Sequence, residues 1–116
     1  MTTVTHDRLA AATRMGVVNL RVSDLPAVLA FYVDGVGLAP LNEDAGTIVL
    51  GLGDMPVVTL THAPDLRLPS RRDAGLFHTA ILFDDAAGLA ASLASTLARY
   101  QPLYQGSADH LVSRAF

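Results

Sequence analysis

Few side chains in this sequence can do chemistry, and their types set the possibilities. His6, His62, His78 and His110 are the four imidazoles, Glu43 is the sole glutamate, and all eight basic residues are arginine. The absence of cysteine removes disulfides and thiolate ligands. The absence of lysine removes Schiff-base and lysine general-base chemistry. An imidazole titrates near neutrality and serves as metal ligand, proton-transfer group or hydrogen-bonded wall residue. His110 shares a predicted strand face with Val112 and Arg114, which suits a substrate contact or a proton transfer. His78 sits on a predicted half-buried strand, where wall residue and ligand are the two readings. His62 ends a strand facing away from Thr59 and Thr61 and is expected at an exposed edge, and His6 lies in the leader. Arg21 alternates in step with Val17 and Asn19, so it either meets an anionic substrate group or forms a buried ion pair with an Asp. Glu43 falls in a predicted turn, where a solvated carboxylate is the default.

Several chemistries find no support in the pattern. Gly51-Leu52-Gly53 precedes a strand, not a helix, so it does not form a phosphate-binding loop. No serine occupies a nucleophile elbow, and spacing forces no two carboxylates together. The net charge is −3, and Arg67, Arg71 and Arg72 form the only basic cluster, so nucleic acid is not an expected partner.

The elements that must hold these residues come in two similar runs. Val18-Asn19-Leu20-Arg21-Val22-Ser23-Asp24 and Thr79-Ala80-Ile81-Leu82-Phe83-Asp84-Asp85 start 61 positions apart, and each passes from alternating apolar residues to a capping residue and a helix-like stretch. In the first run a strand over 15–22 turns Val18, Leu20 and Val22 to one face. Ser23 or Asp24 caps the next helix, Pro26 sits in its permissive first turn, and Val28, Leu29, Phe31 and Tyr32 make its buried stripe. Gly35 and Gly37 end that helix. Strands over 38–41, 46–50 and 56–62 follow, separated by turn-rich residues at 42–45 and 51–54.

After a charged, proline-containing connection at 63–74, a strand over 76–83 opens the second run. Asp84 or Asp85 caps a helix with Leu89, Leu93 and Leu97 at every fourth position. Strands over 103–105 and 109–116 then surround Gly106, leaving no residues for a last strand. The organisation predicted is a leader at 1–14, a βαβββ module at 15–62, a linker at 63–74 and an incomplete second module at 75–116. At 116 residues, 51% hydrophobic and 16% charged, the chain has the makings of one folded domain with a core. Its apolar runs are too short to span a bilayer and its leader lacks a secretory apolar core, so a cytoplasmic protein without membrane partners is expected. An unpaired sheet edge predicts a homodimer.

Val22-Ser23-Asp24-Leu25, then Phe31-Tyr32 and Val36-Gly37-Leu38, resemble the vicinal oxygen chelate superfamily, which contains glyoxalase I, bleomycin resistance proteins and extradiol dioxygenases. Gly75-Leu76-Phe77-His78-Thr79-Ala80 and Ser107-Ala108-Asp109-His110-Leu111-Val112-Ser113 look like its catechol 2,3-dioxygenase-like branch. The resemblance implies an α+β fold in which paired βαβββ modules form a curved, cup-like mixed sheet with helices outside, here without the last strand of the second module. It implies one divalent metal (Fe, Mn or Zn) held by imidazoles and a carboxylate, with positions left open for two substrate oxygens. His78 takes the second module's opening-strand ligand position. The first module's falls near Val17 or Asn19, and a carboxylate position falls around Thr59. Asn19, Arg21 and His110 become candidate contacts to a small-molecule substrate. Three functions are compatible: a metal-dependent enzyme, the N-terminal module pair of an extradiol-type dioxygenase, or a metal-free binding protein of the resistance type.

Overall fold

A computed structural model describes residues 8–75 and 79–100, together with the backbone of 108–109 and 114–115. β1 (Val18–Val22) leads into α1 (Leu25–Ala30), and three strands follow: β2 (Ala39–Asp44), β3 (Thr47–Leu52) and β4 (Met55–His62). They form one mixed sheet in the order β1-β4-β3-β2, with β1 parallel to β4 and the other pairs antiparallel. This is a βαβββ module, as the alternation in 15–62 predicts. α2 (Ala86–Tyr100) lies beyond it, followed by a two-residue pair, β5 (Ala108–Asp109) and β6 (Arg114–Ala115).

Asp24 caps α1: its carboxylate accepts from the Ala27 N–H at 3.1 Å, and Pro26 occupies a first-turn position where no N–H is needed. From Phe31 to Val36 the helix widens into a π-helical segment, a departure the sequence pattern does not announce. Gly37, at φ 93°, ends it; the Gly37 and Leu38 N–H groups both donate to the Tyr32 carbonyl, at 3.0 and 2.9 Å. Leu38 turns inward from this cap and is buried.

The core is the helix-facing side of the sheet. Leu38, Ile48, Leu50, Val58 and Leu60 are buried, and Leu20, Val22, Leu25, Val28, Leu29 and Tyr32 pack against them. Full burial of each such aliphatic side chain is worth about 1.5–3 kcal/mol, so this layer drives the fold. α2 joins through its Ser92 and Ser95 hydroxyls and through Tyr100, whose ring meets Phe31 edge-on at 5.2 Å and closes over Gly35. Leu89, Leu93 and Leu97 are half-buried, in keeping with their predicted stripe, and Asp85 caps α2 by accepting from the Gly88 N–H at 2.7 Å.

Several sequence expectations require correction. The first turn is not 42–45: Asn42, Glu43 and Asp44 pair with Val49, Ile48 and Thr47, and only Ala45-Gly46 turns. Both turn residues have positive φ, 44° and 83°, as a type I′ hairpin demands, so two residues suffice. β1 begins at Val18 rather than 15. Residues 79–83 carry no strand, because no described strand pairs with them, although Ile81 still packs against the core. Of the strand expected over 109–116, the described residues lie in two strands: Asp109 and Arg114 are register partners in the antiparallel β5–β6 pair. The strand expected over 103–105 lies outside the described residues. The connection after β4 holds Arg67 and Asp73 in a bidentate ion pair at 2.9 and 3.2 Å. Among the described residues no helix is long and apolar enough to cross a membrane.

Candidate functional site

The face of the sheet turned away from α1 carries the polar side chains. Strand alternation puts Leu20, Leu50, Val58 and Leu60 on the core side and the residues between them on the opposite side, the open face among the described residues. Register then assembles two cross-strand rows. In one, Arg21 lies beside Thr61, Thr61 beside Thr47, and Thr47 beside Asp44. In the other, Asn19 lies beside Thr59, Thr59 beside Val49, and Val49 beside Asn42.

The three threonines and Val49 are half-buried in the middle strands, whereas Arg21, Asn19, Asp44 and Asn42 are exposed on the outer two. Thr47 Oγ1 and Thr61 Oγ1 are 3.2 Å apart and share a hydrogen bond. One hydroxyl proton is used between them, and among the described residues the other finds no acceptor, so it can donate to a ligand. Arg21 is exposed, and the ion pair found among the described residues joins Arg67 and Asp73. The row therefore carries positive charge at β1 and negative charge at β2, with hydroxyls between.

Asn19 and Arg21 thus occupy the face expected of them, next to Thr59 and Thr61. Val17 lies just before β1 and is partly exposed. His78 and His110 lie outside the described residues. His62 is exposed at the end of β4, as its alternation predicts. Glu43 faces opposite in sense to Asn42 and Asp44 and pairs with Ile48, a strand position rather than the predicted turn. Thr47, Asn42 and Asp44 were missed as site residues, because a turn read at 42–45 broke the strand that brings them into register. The alternating Thr59 and Thr61 were the signal that could have extended the face.

A divalent metal does not fit the described part of this face. Asn19 and Thr59, at the implied ligand positions, offer neutral amide and hydroxyl oxygens, and the Arg21 guanidinium next to them opposes a cation. Among the described residues no three His, Asp or Glu side chains are gathered as a metal would require.

A second polar feature lies behind the sheet. Burial pushes the Tyr32 phenol above its ordinary value of 10.0, and the neighbouring Thr79 side chain pulls it part of the way back. Thr79 Oγ1 is enclosed and completes no hydrogen bond among the described residues. This pair belongs to the packing between the sheet and the second half of the chain, not to the open face.

Residues 14–100 match the family model of the Glyoxalase/Bleomycin resistance protein/Dioxygenase superfamily. Among solved structures, the chain is similar to VPC_CASS1 from the mobile metagenome of V. pseudocholerae, with 16% identity and a TM-score of 0.56 over 92% of this chain and 84% of that one. The integron cassette protein VCH_CASS1 of V. cholerae is similar at 16% identity and a TM-score of 0.54, with the same coverage. At that identity the likeness is one of fold. No protein of curated function matches the sequence. The βαβββ module, the resemblance of its motifs and the match across residues 14–100 agree: the chain belongs to the Glyoxalase/Bleomycin resistance protein/Dioxygenase superfamily.

Proposed function

We propose that this protein is a metal-free small-molecule binding module of its superfamily, the resistance-type alternative among the functions read from the sequence. The observation that carries it is the pair of polar rows on the open sheet face, Arg21-Thr61-Thr47-Asp44 and Asn19-Thr59-Val49-Asn42. These side chains bind by hydrogen bonding and charge, and they replace ligands at positions where the superfamily resemblance implies a metal. Amide chemical-shift mapping with a fragment panel of mixed charge tests it. Shifts are expected at Asn19, Arg21, Thr47, Thr59 and Thr61; shifts confined to α1 and α2 overturn it.

The extradiol-type reading, with this chain as the N-terminal module pair of a longer dioxygenase, is favoured by the same neutral residues at Asn19 and Thr59, since a supporting pair does not need ligands. It differs in placing the metal, Fe(II), Mn(II) or Zn(II), in a further module pair rather than on this chain's residues. Stoichiometric metal in the purified protein, lost in His78→Ala, would instead establish the third function, a metal-dependent enzyme, and displace both the binding-module and the supporting-pair readings. A homodimer belongs to either proposal, because among the described residues β1 and β2 are the outer strands of the sheet and leave ladder groups to satisfy. A monodisperse monomer in concentrated solution, by light scattering, would remove it.

A further inference from the structure

We infer that the ligand of the open face carries a single oxyanion, which Arg21 anchors over the β1–β4 pair, on a body that is apolar and not negatively charged. This rests on the binding-module reading and specifies the chemistry of its ligand. Arg21 supplies positive charge on this face where the superfamily resemblance implies a metal, and a guanidinium offers a planar fork of donors matched to carboxylate or phosphonate oxygens. Its register neighbour Thr61 belongs to a hydroxyl pair with one proton that can donate. Asn19 and Thr59, one step along the same two strands, add an amide N–H and a further hydroxyl. Arg21, Thr61, Asn19 and Thr59, the described residues at this end of the two rows, can all donate to a ligand oxygen.

The other end sets a limit. Asp44 lies three strands from Arg21 in the same row, about 14 Å away at the usual strand spacing. A second negative charge extending that far would meet the carboxylate, whereas a neutral or cationic tail would not. Between the ends, Val49 is half-buried in the middle of the second row and gives the body of the ligand an apolar footing. The polarity of the row thus orients a ligand, acid toward β1 and body toward β2. A metal chelate would require the opposite electrostatics.

Four probes of one shape separate the possibilities: benzoate, phenylphosphonate, benzamide and benzylammonium, titrated into the full chain by two-dimensional NMR. Benzoate and phenylphosphonate are expected to shift the amides of Asn19, Arg21, Thr59 and Thr61, and added salt to weaken both. Arg21→Gln should lower benzoate affinity about tenfold, the loss of a charge-assisted hydrogen bond, and Arg21→Lys should lower it less. Asp44→Asn should improve binding of a dicarboxylate such as terephthalate by a larger factor than it changes binding of benzoate. Benzoate binding that is the same in Arg21→Gln overturns the inference. So does benzamide or benzylammonium binding the face as well as benzoate, although the binding-module reading then survives. No response on this face from any probe overturns both. Preserved spectral dispersion in Arg21→Gln shows that the variant is folded.

Discussion

Ser92 of α2 donates its hydroxyl to the Val36 carbonyl at 2.7 Å, across 56 residues of chain. The π-helical segment leaves carbonyls at its end without helical partners, and Ser92 and Ser95 satisfy two of them, those of Val36 and Asp34. These are side-chain fastenings between the two halves of the protein. Ser92→Ala leaves a part-buried carbonyl unpaired and should cost about 1–2 kcal/mol, read as a lower urea midpoint with an unchanged slope. Ser95→Ala, at a more exposed bond, should cost less. Equal midpoints for Ser92→Ala and the parent protein would show that water replaces the hydroxyl.

Gly51 sits under the Leu41 side chain. A Cβ there would collide with Leu41 Cδ1 and lie 2.7 Å from the Met55 carbonyl oxygen. Leu41 occupies the irregular position between Pro40 and Asn42, where the β2–β3 register shifts, and its side chain fills the space a residue at 51 would need. Gly51→Ala should therefore destabilise the protein by about 1–3 kcal/mol, as overpacking does. Combining it with Leu41→Ala should recover only part of the loss, because the backbone oxygen cannot withdraw as a side chain can. Full recovery in urea denaturation would place the whole conflict in the leucine.

Legibility in the sequence followed the reach of the forces involved. β1, α1 and β4 were readable because alternation and helical spacing report burial directly, and their apolar residues are the ones packed in the core. The caps were readable to within two adjacent residues, Ser23 or Asp24 and Asp84 or Asp85, because capping depends on residues three positions away; the hydrogen bonds select Asp24 and Asp85. The π-helical segment was not, since Phe31 to Val36 would suit an ordinary helix and the widening accompanies contacts with α2 that are remote in sequence. Asn19 and Arg21 were placed on the open face from alternation alone. Thr47 and Asp44 were not, because their part in the rows depends on where one hairpin turns.

That turn holds its own test. Ala45 has φ 44°, a left-handed conformation that costs an L-residue with a Cβ roughly 1 kcal/mol or more. Asparagine tolerates this conformation, and Asn-Gly is a preferred pair for a two-residue type I′ turn. Ala45→Asn should raise stability by about 0.5–1 kcal/mol, and Ala45→Val should lower it, since a β-branched side chain fits positive φ least. Thermal denaturation of the two variants should move in opposite directions. Because the turn fixes the β2–β3 register, the stabilised variant should also keep Asp44 opposite Thr47, visible as cross-strand nuclear Overhauser contacts.

Tyr32 gives the fold a dependence on alkaline pH. Burial raises the phenol above 10.0 in the folded protein, with Thr79 opposing part of the rise, so the folded state holds its proton when the unfolded chain has begun to release one. Below the unfolded value both states are protonated and the position contributes no pH dependence. As pH climbs past about 10, ionisation favours the unfolded chain, and stability falls until the folded phenol also ionises. Tyr32→Phe removes the titrating hydroxyl and keeps the ring that meets Phe31 at 5.3 Å. The variant should lose less stability than the parent protein between neutral and strongly alkaline pH in urea denaturation. Parallel declines would mean that the Tyr32 hydroxyl ionises as easily folded as unfolded.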